Sequence, residues 1–378
     1  MDLELDDVQR MVRDTARAFS EKTLFPNAAR FEREEKIPRE VLAELASLGL
    51  MSVNIPAQYE GAEAGAVAYA LAMFEIARGC ASTAVTMAVT NMVGEVIAKF
   101  GTEPQRERYV KGLATGELVA GAFALSEPEA GSDPGSMRTV AERKGDRWVI
   151  TGAKQWITSA DFAGVFVVWA RTGGGGTAGI SAFLVPAQTP GLIVSKHEDK
   201  MGLRASSTCA LTFDACEVPE DALLGELNGG FKIAMMALDG GRIGIGAQAT
   251  GIASAALDEG VAYARDRKQF GKSIGDFQAI QWMIADSRTE LDAARLLVLR
   301  AASLKQAGAL FSREAAMAKV FATEKAGIIC DRMLQVHGGY GYTKDYAIER
   351  HVRDVRVSRI YEGTSEIQRT VIARNVLR

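Results

Sequence analysis

The residues best placed to do chemistry lie near the C-terminus, in the run Arg359-Ile360-Tyr361-Glu362-Gly363-Thr364-Ser365-Glu366-Ile367-Gln368-Arg369. Glu362 stands between an aromatic residue and a glycine, just before a segment that can start a helix at Thr364 or Ser365. Gly363 allows the backbone to come close to a ligand, which would then meet the Glu362 carboxylate. The same residues also describe a surface acid in a solvated turn. Two further stretches offer donors rather than acids. Phe123-Ala124-Leu125-Ser126-Glu127-Pro128-Glu129-Ala130-Gly131-Ser132-Asp133 leaves a strand into a loop whose N–H and hydroxyl groups suit a polar ring. Lys154-Gln155-Trp156-Ile157-Thr158-Ser159 sets an aromatic and a hydroxyl at a strand end. Taken alone, Trp156 reads more readily as core.

Other chemistry-bearing patterns carry less. Gly174 to Gly179 matches G-x-G-x-x-G after a strand, but a dinucleotide fingerprint must open a helix, and Ile180 to Val185 reads as another strand. We read a hairpin loop there. Cys80, Cys209, Cys216 and Cys330 have neither metal-ligand spacing nor a disulfide framework, so four reduced thiols are expected. His197, His337 and His351 are too isolated for a metal site.

The elements that must position these groups follow from periodicity. The chain has 378 residues, 48% hydrophobic and 24% charged with net charge −3, which describes a globular protein with room for more than one core. No basic excess invites nucleic acid, and no uninterrupted apolar run reads as a membrane span. The acidic start, Met1 to Asp7, is unlike a signal or transit peptide, so a reducing cytoplasm is expected. Val8, Val12, Ala16 and Phe19 mark a first helix, and Pro38 opens a second with the stripe Val41, Leu42, Leu45 and Leu48. Residues 66 to 100 read as buried helix broken near Gly79 to Ser82, and a further helix runs from Gly101 to near Thr115. Strands are predicted at 139–143, 148–151, 164–170, 180–185 and 210–213, the first two as a hairpin. Helices return from Phe231; 276–305 and 312–336 are long, the latter with Met317, Val320, Phe321 and Ile328 on one face. The expected architecture is α+β, mainly α: an N-terminal helical domain (1–120), a middle antiparallel β domain (121–225) and a C-terminal helical bundle (226–378).

Together the two donor stretches, Leu238-Asp239-Gly240-Gly241-Arg242, Arg267-Lys268-Gln269-Phe270-Gly271, Gln335-Val336-His337-Gly338-Gly339 and the Tyr-Glu-Gly-Thr-Ser-Glu run at 361–366 resemble the acyl-CoA dehydrogenase family. The resemblance is strongest to its short-chain, butyryl-type members and covers nearly the whole chain. It implies FAD as cofactor, an acyl-CoA substrate, electron-transferring flavoprotein as acceptor, and a homotetramer built as a dimer of dimers. Residue by residue, it implies that Phe123, Leu125, Ser126, Ser132, Trp156, Ile157 and Thr158 hold the flavin ring. Arg267, Phe270 and Gln278 would meet the ADP half, Gln335, Gly338 and Gly339 would reach a neighbouring subunit's FAD, and Thr364 and Glu366 would close over the cofactor. Ser132, Asp239, Arg242, Tyr361 and Gly363 would line the substrate path. Glu362 would be the base.

From the residues alone, Arg242 reads equally well as an ion-pair arginine within its helix, Gln335 to Gly339 as a helix C-cap, and Gly244, Gly246, Ala247 and Gly251 as close-packing positions. The resemblance also implies that Ala84 stands where glutaryl-type relatives carry an arginine, and Gly241 where isovaleryl-type relatives carry the base. An oxygen-using acyl-CoA oxidase and a non-catalytic homologue that keeps the fold are the rival readings.

Overall fold

The structure, a computed structural model, describes residues 4–377; Met1 to Leu3, part of the acidic start, lie outside the described residues. The first helix, α1 (Asp7–Phe19), begins where the Asp6 carboxylate accepts the Gln9 N–H at 2.8 Å in a capping box. Next come α2 (Ala28–Glu34) and α3 (Arg39–Ser47). Pro38 opens α3 and Gly49, at φ 71°, ends it. Val41, Leu42 and Leu45 are buried as predicted, whereas Leu48 lies past the last helical turn and faces solvent. The long apolar stretch forms α4 (Gly65–Gly79) and α5 (Ala81–Phe100), broken by extended backbone at Cys80. Then α6 (Glu103–Gln105) and α7 (Lys111–Ala114) flank a π-helical turn.

One helix bears on the expectation that no uninterrupted apolar run reads as a membrane span. By length and composition α5 could cross a membrane, although 89% of its apolar window is buried inside the protein. Asn91, Glu95 and Lys99 interrupt the apolar run in sequence without lowering the average enough. Among the described residues it is a core helix.

The β region comprises β1 (Gly121–Ala124), β2 (Val140–Lys144), β3 (Arg147–Thr158), β4 (Val165–Arg171), β5 (Ile180–Pro186), β6 (Leu192–Val194), β7 (Thr208–Pro219) and β8 (Leu223–Leu224). The path β6-β7-β3-β2-β4-β5-β8 is antiparallel except where β2 meets β4, and β1 also lies parallel to β4. The sheet is therefore mixed, not antiparallel throughout. The reason is connectivity: β1 reaches β4 through a long loop and a hairpin, not a tight turn. The glycine-rich run joins β4 to β5, which pair antiparallel, so it is the hairpin loop predicted and opens no helix.

The rest is helical: α8 (Gly230–Asp266), a small β9–β10 ribbon (Lys268–Gln269 and Lys272–Ser273), α9 (Gln278–Gln306), α10 (Ser312–His337), α11 (Ile348–Arg356) and α12 (Ser365–Val376). The 37-residue α8 packs against α4, α5, α9 and α10. Its glycines are there for proximity. A Cβ at Gly244 would stand 2.5 Å from the Tyr69 hydroxyl, and one at Gly251 would stand 2.4 Å from the Phe74 carbonyl oxygen. The same tight packing overturns the predicted face of α10. Its buried side carries Ala315, Ala318, Lys319, Ala322, Thr323 and Ala326, whereas Met317, Val320 and Phe321 are half-buried and Ile328 is exposed. In this part of α10 the close helix contact has room for alanines, so these larger apolar side chains turn away; Ile329, Met333 and Val336 are buried further along.

Three hydrophobic clusters result. One lies inside the sheet, one among the N-terminal helices, and one where sheet and C-terminal helices meet. All four cysteines are free and buried.

Candidate active site

The Glu362 turn is made by two successive left-handed residues, Glu362 at φ 54° and Gly363 at φ 86°. Glycine adopts this conformation freely, but glutamate does so at a cost of about 1–2 kcal/mol, so the surroundings must hold it. Several groups do. Gln368 Nε2 donates to the carbonyl oxygens of Glu362 at 3.2 Å and Gly363 at 2.8 Å. Lys319 Nζ donates to the same Gly363 oxygen at 2.8 Å. On the N-terminal side the Tyr361 hydroxyl donates to Gln248 Oε1 in the interior. Thr364 then caps α12, its hydroxyl accepting the Ile367 N–H.

The turn aims the Glu362 side chain at α8 and α5. A Cβ on Gly241 would lie 2.7 Å from Glu362 Oε2 and 3.1 Å from Met92 Sδ. The residue as a whole is half-buried, yet Oε2 is out of solvent and has no hydrogen-bond partner. Burial pushes this carboxyl up to about 7, against the pull of Arg242 and then Lys319. Arg242, itself buried, pairs with Asp239 one turn earlier on α8, and Asp239 also accepts the Ser312 hydroxyl at 2.9 Å. The arginine is thus an intrahelical ion-pair partner that still acts on Glu362 through its charge.

The two donor stretches are brought together on the β domain. Gln155 N–H donates to the Ser126 carbonyl at 2.9 Å, and the buried Lys154 ammonium bridges the Leu125 carbonyl at 3.1 Å and Glu127 Oε1 at 2.8 Å. Glu127 in turn accepts the N–H groups of Arg138 and Thr139. A register shift in the β3–β7 pairing between Lys154 and Ile157 accompanies a left-handed Trp156 at φ 64°. The residue is 61% exposed, so Trp156 is not core. Leu125 and Ile157 have side chains in the interior and can offer only backbone to a ligand. Ser132 is exposed, Ser126, Thr158 and Phe123 half-buried.

Arg267, Gly338 and Gly339 gather elsewhere. With Tyr263, Gln269 and Tyr340 they line a hollow of about 470 Å³ built only from C-terminal helices and their connections. Gly338, at φ 58°, does cap α10 as predicted, and a side chain on either glycine would meet open space. Phe270, 94% exposed, and the exposed Gln278 and Gln335 are not among the residues that line this hollow.

Sequence comparison agrees along the whole chain. Residues 6–117, 122–216 and 228–377 match the N-terminal, middle and C-terminal domains of acyl-CoA dehydrogenases. The chain belongs to the acyl-CoA dehydrogenase family. It is 49% identical over 379 residues to the mitochondrial short-chain specific acyl-CoA dehydrogenase of Bos taurus, covering 100% of this chain and 92% of the relative. The butyryl-CoA dehydrogenase structure from Megasphaera elsdenii superposes with a TM-score of 0.98 at 40% identity, covering both chains fully. A structure described as electron transferring flavoprotein of Acidaminococcus fermentans matches equally well, with a TM-score of 0.98 at 42% identity over both full chains. A Mycobacterium smegmatis glutaryl-CoA dehydrogenase in complex with FADH2 gives 0.93 at 31% identity, over 98% of this chain and 95% of that one.

The residues present fit the flavin cofactor of an acyl-CoA dehydrogenase: an exposed indole on a fixed bulge, a donor-rich loop beside it, and open glycines. Sequence reading missed Lys319, Gln368, Tyr69 and Met92 around Glu362. Lys319 left a trace: a lysine four residues from Ala315 and from Thr323 sits on the small-residue face of α10, where only a partnered cation belongs.

Proposed function

We propose that the protein dehydrogenates a short-chain acyl-CoA, straight or branched, to the trans-2-enoyl-CoA, using FAD and passing electrons to an electron-transferring flavoprotein. The observation that carries this reading is the Glu362 carboxylate, desolvated, with Oε2 unpartnered, and aimed across the missing side chain of Gly241. A carboxylate in that state is a stronger base than one in water and has a space beside it for the carbon acid. Bound FAD supplies the hydride acceptor that no side chain provides. Glu362 Oε2 takes the α-proton, and the Glu362 N–H is expected to meet the thioester oxygen as it gains charge. Trp156, Thr158 and the loop from Phe123 to Ser132 hold the ring, with Thr364 and Glu366 closing over it.

The hollow at Arg267 and Gly338–Gly339 contains no residue of that ring site, which favours its serving the ADP half of a second copy's cofactor; Phe270, Gln278 and Gln335, outside the lining of the hollow, would meet that cofactor beyond it. That arrangement needs a second copy of the chain, which the homotetramer, a dimer of dimers, would supply. The four reduced thiols favour a cytoplasmic enzyme.

The test is anaerobic mixing of the yellow protein with a panel of acyl-CoAs. Bleaching by butyryl-CoA, and slow recolouring in air, is the expected result. No bleaching by any acyl-CoA would refute the reading, and fast recolouring would replace the flavoprotein acceptor with oxygen.

A further inference from the structure

Lys319 is fully buried in the middle of α10, yet no carboxylate lies within ion-pairing distance of it among the described residues. Lysine is rarely sealed in this way, because an unpaired ammonium loses its hydration. Among the described residues its ammonium donates one hydrogen bond, to the Gly363 carbonyl, the group that follows Glu362 in the turn. We propose that Lys319 is a positioning residue for Glu362: its ammonium pins the left-handed turn that aims the carboxylate and keeps a positive charge beside it. The proposal rests on Glu362 being the base.

Two features separate this from simple packing. Holding the turn does not need a charge, since neutral Gln368 already donates to the same carbonyl at 2.8 Å. The charges around the pair are also unequally committed. Glu362 is faced by Arg242 from α8, Lys319 from α10, the Tyr69 phenol from α4 and the Tyr361 phenol from its own turn. Arg242 is spent largely on Asp239. Lys319 is faced by Glu362, Glu324 and Glu366, with Arg242 opposing, and it has no carboxylate of its own. Glu362 is the largest of those attractions. Burial nevertheless pulls Lys319 down to about 7, so its charge is sustained chiefly by the carboxylate it serves.

Lys319→Met removes charge and donor, Lys319→Gln removes the charge and keeps a donor, and Lys319→Arg keeps both. Each is examined as flavin-loaded protein. The first measurement is infrared titration of the Glu362 carboxyl C=O stretch, assigned by its disappearance in Glu362→Gln. Its midpoint should rise by about one pH unit in the Met and Gln variants, equal to about tenfold less carboxylate on the acid side, and return toward wild type in Lys319→Arg. The second is the pH profile of flavin reduction by butyryl-CoA, whose acid limb should move by the same amount with KM little changed. An unmoved infrared midpoint in either neutral variant, with rates lowered by one factor at every pH, would overturn the proposal in favour of packing alone. If Lys319→Met loses its flavin, Lys319→Gln carries the comparison. If wild type is reduced by no acyl-CoA, the proposed activity fails while the infrared midpoint still decides the role of Lys319.

Discussion

Gly241 on α8 and Glu362 before α12 face each other so closely that a side chain on the glycine would stand 2.7 Å from Glu362 Oε2. A carboxylate grown from position 241 would therefore reach the space that Glu362 now fills. Glu362→Gly combined with Gly241→Glu should recover part of the flavin reduction lost in Glu362→Gly. It should stay up to about 10²-fold below wild type, because misplacement by about 1 Å is enough for such a loss. Anaerobic reduction by butyryl- and isovaleryl-CoA in wild type, both singles and the double reads this. A folded, yellow double no faster than Glu362→Gly would show that the two positions do not serve one α-carbon.

Glu362→Gln keeps shape and removes the base. Flavin reduction should fall by at least about 10²–10⁴-fold with flavin content and acyl-CoA binding retained. Rapid-mixing absorbance and equilibrium titration measure the two separately.

The pH dependence has a definite sign. Burial raises the folded-state Glu362 to about 7, from an ordinary value of 4.5. Its contribution to stability is therefore present below about 4.5 and is lost as pH rises through about 7. The base form grows over the same range, so the rate should climb with pH through about 7 while stability declines. Thermal melting of Glu362→Gln against wild type should show a larger advantage for the variant at pH 8 than at pH 5. An advantage independent of pH would exclude the raised value.

Along α5 no basic residue precedes Lys99, and Ala84 is fully buried. A dicarboxylate tail entering beside this helix would lose hydration without a partner. Butyryl-, isobutyryl- or 2-methylbutyryl-CoA should accordingly be turned over better than glutaryl-CoA in steady-state assays. Faster turnover of glutaryl-CoA would refute the charge argument.

Lys154 and Glu127 form a buried pair beneath the loop expected to hold the flavin. Lys154→Met should cost about 3–5 kcal/mol, because it leaves Glu127 charged and sealed. Adding Glu127→Leu should not restore stability, since the N–H groups of Arg138 and Thr139 would lose their acceptor. Denaturant midpoints of the single and double variants check both statements.

What the sequence made legible was whatever local rules decide. Pro38, Gly49, the break at Cys80 and the Gly338 cap were readable because caps and breakers act within a few residues. Glu362 stood out through its flanking aromatic and glycine. The buried face of α10 was misread because apolar periodicity ranks large side chains first, whereas close helix contact selects small ones. β1 running parallel to β4, and Lys319 arriving beside Glu362 from 43 positions earlier in the sequence, depend on tertiary placement that no window contains.

The distribution of thiols turns the molecule into its own stopwatch. Cys80 belongs to the N-terminal cluster, Cys209 and Cys216 to the sheet interior, and Cys330 to the cluster at the junction. Burial pushes every one of these thiols up, Cys216 to about 11, so at neutral pH the native protein offers alkylating reagents almost no thiolate. Labelling at each cysteine must wait for its own region to open. Site-resolved alkylation rates would therefore separate breathing of the sheet, the N-terminal helices and the junction, with no engineered probe.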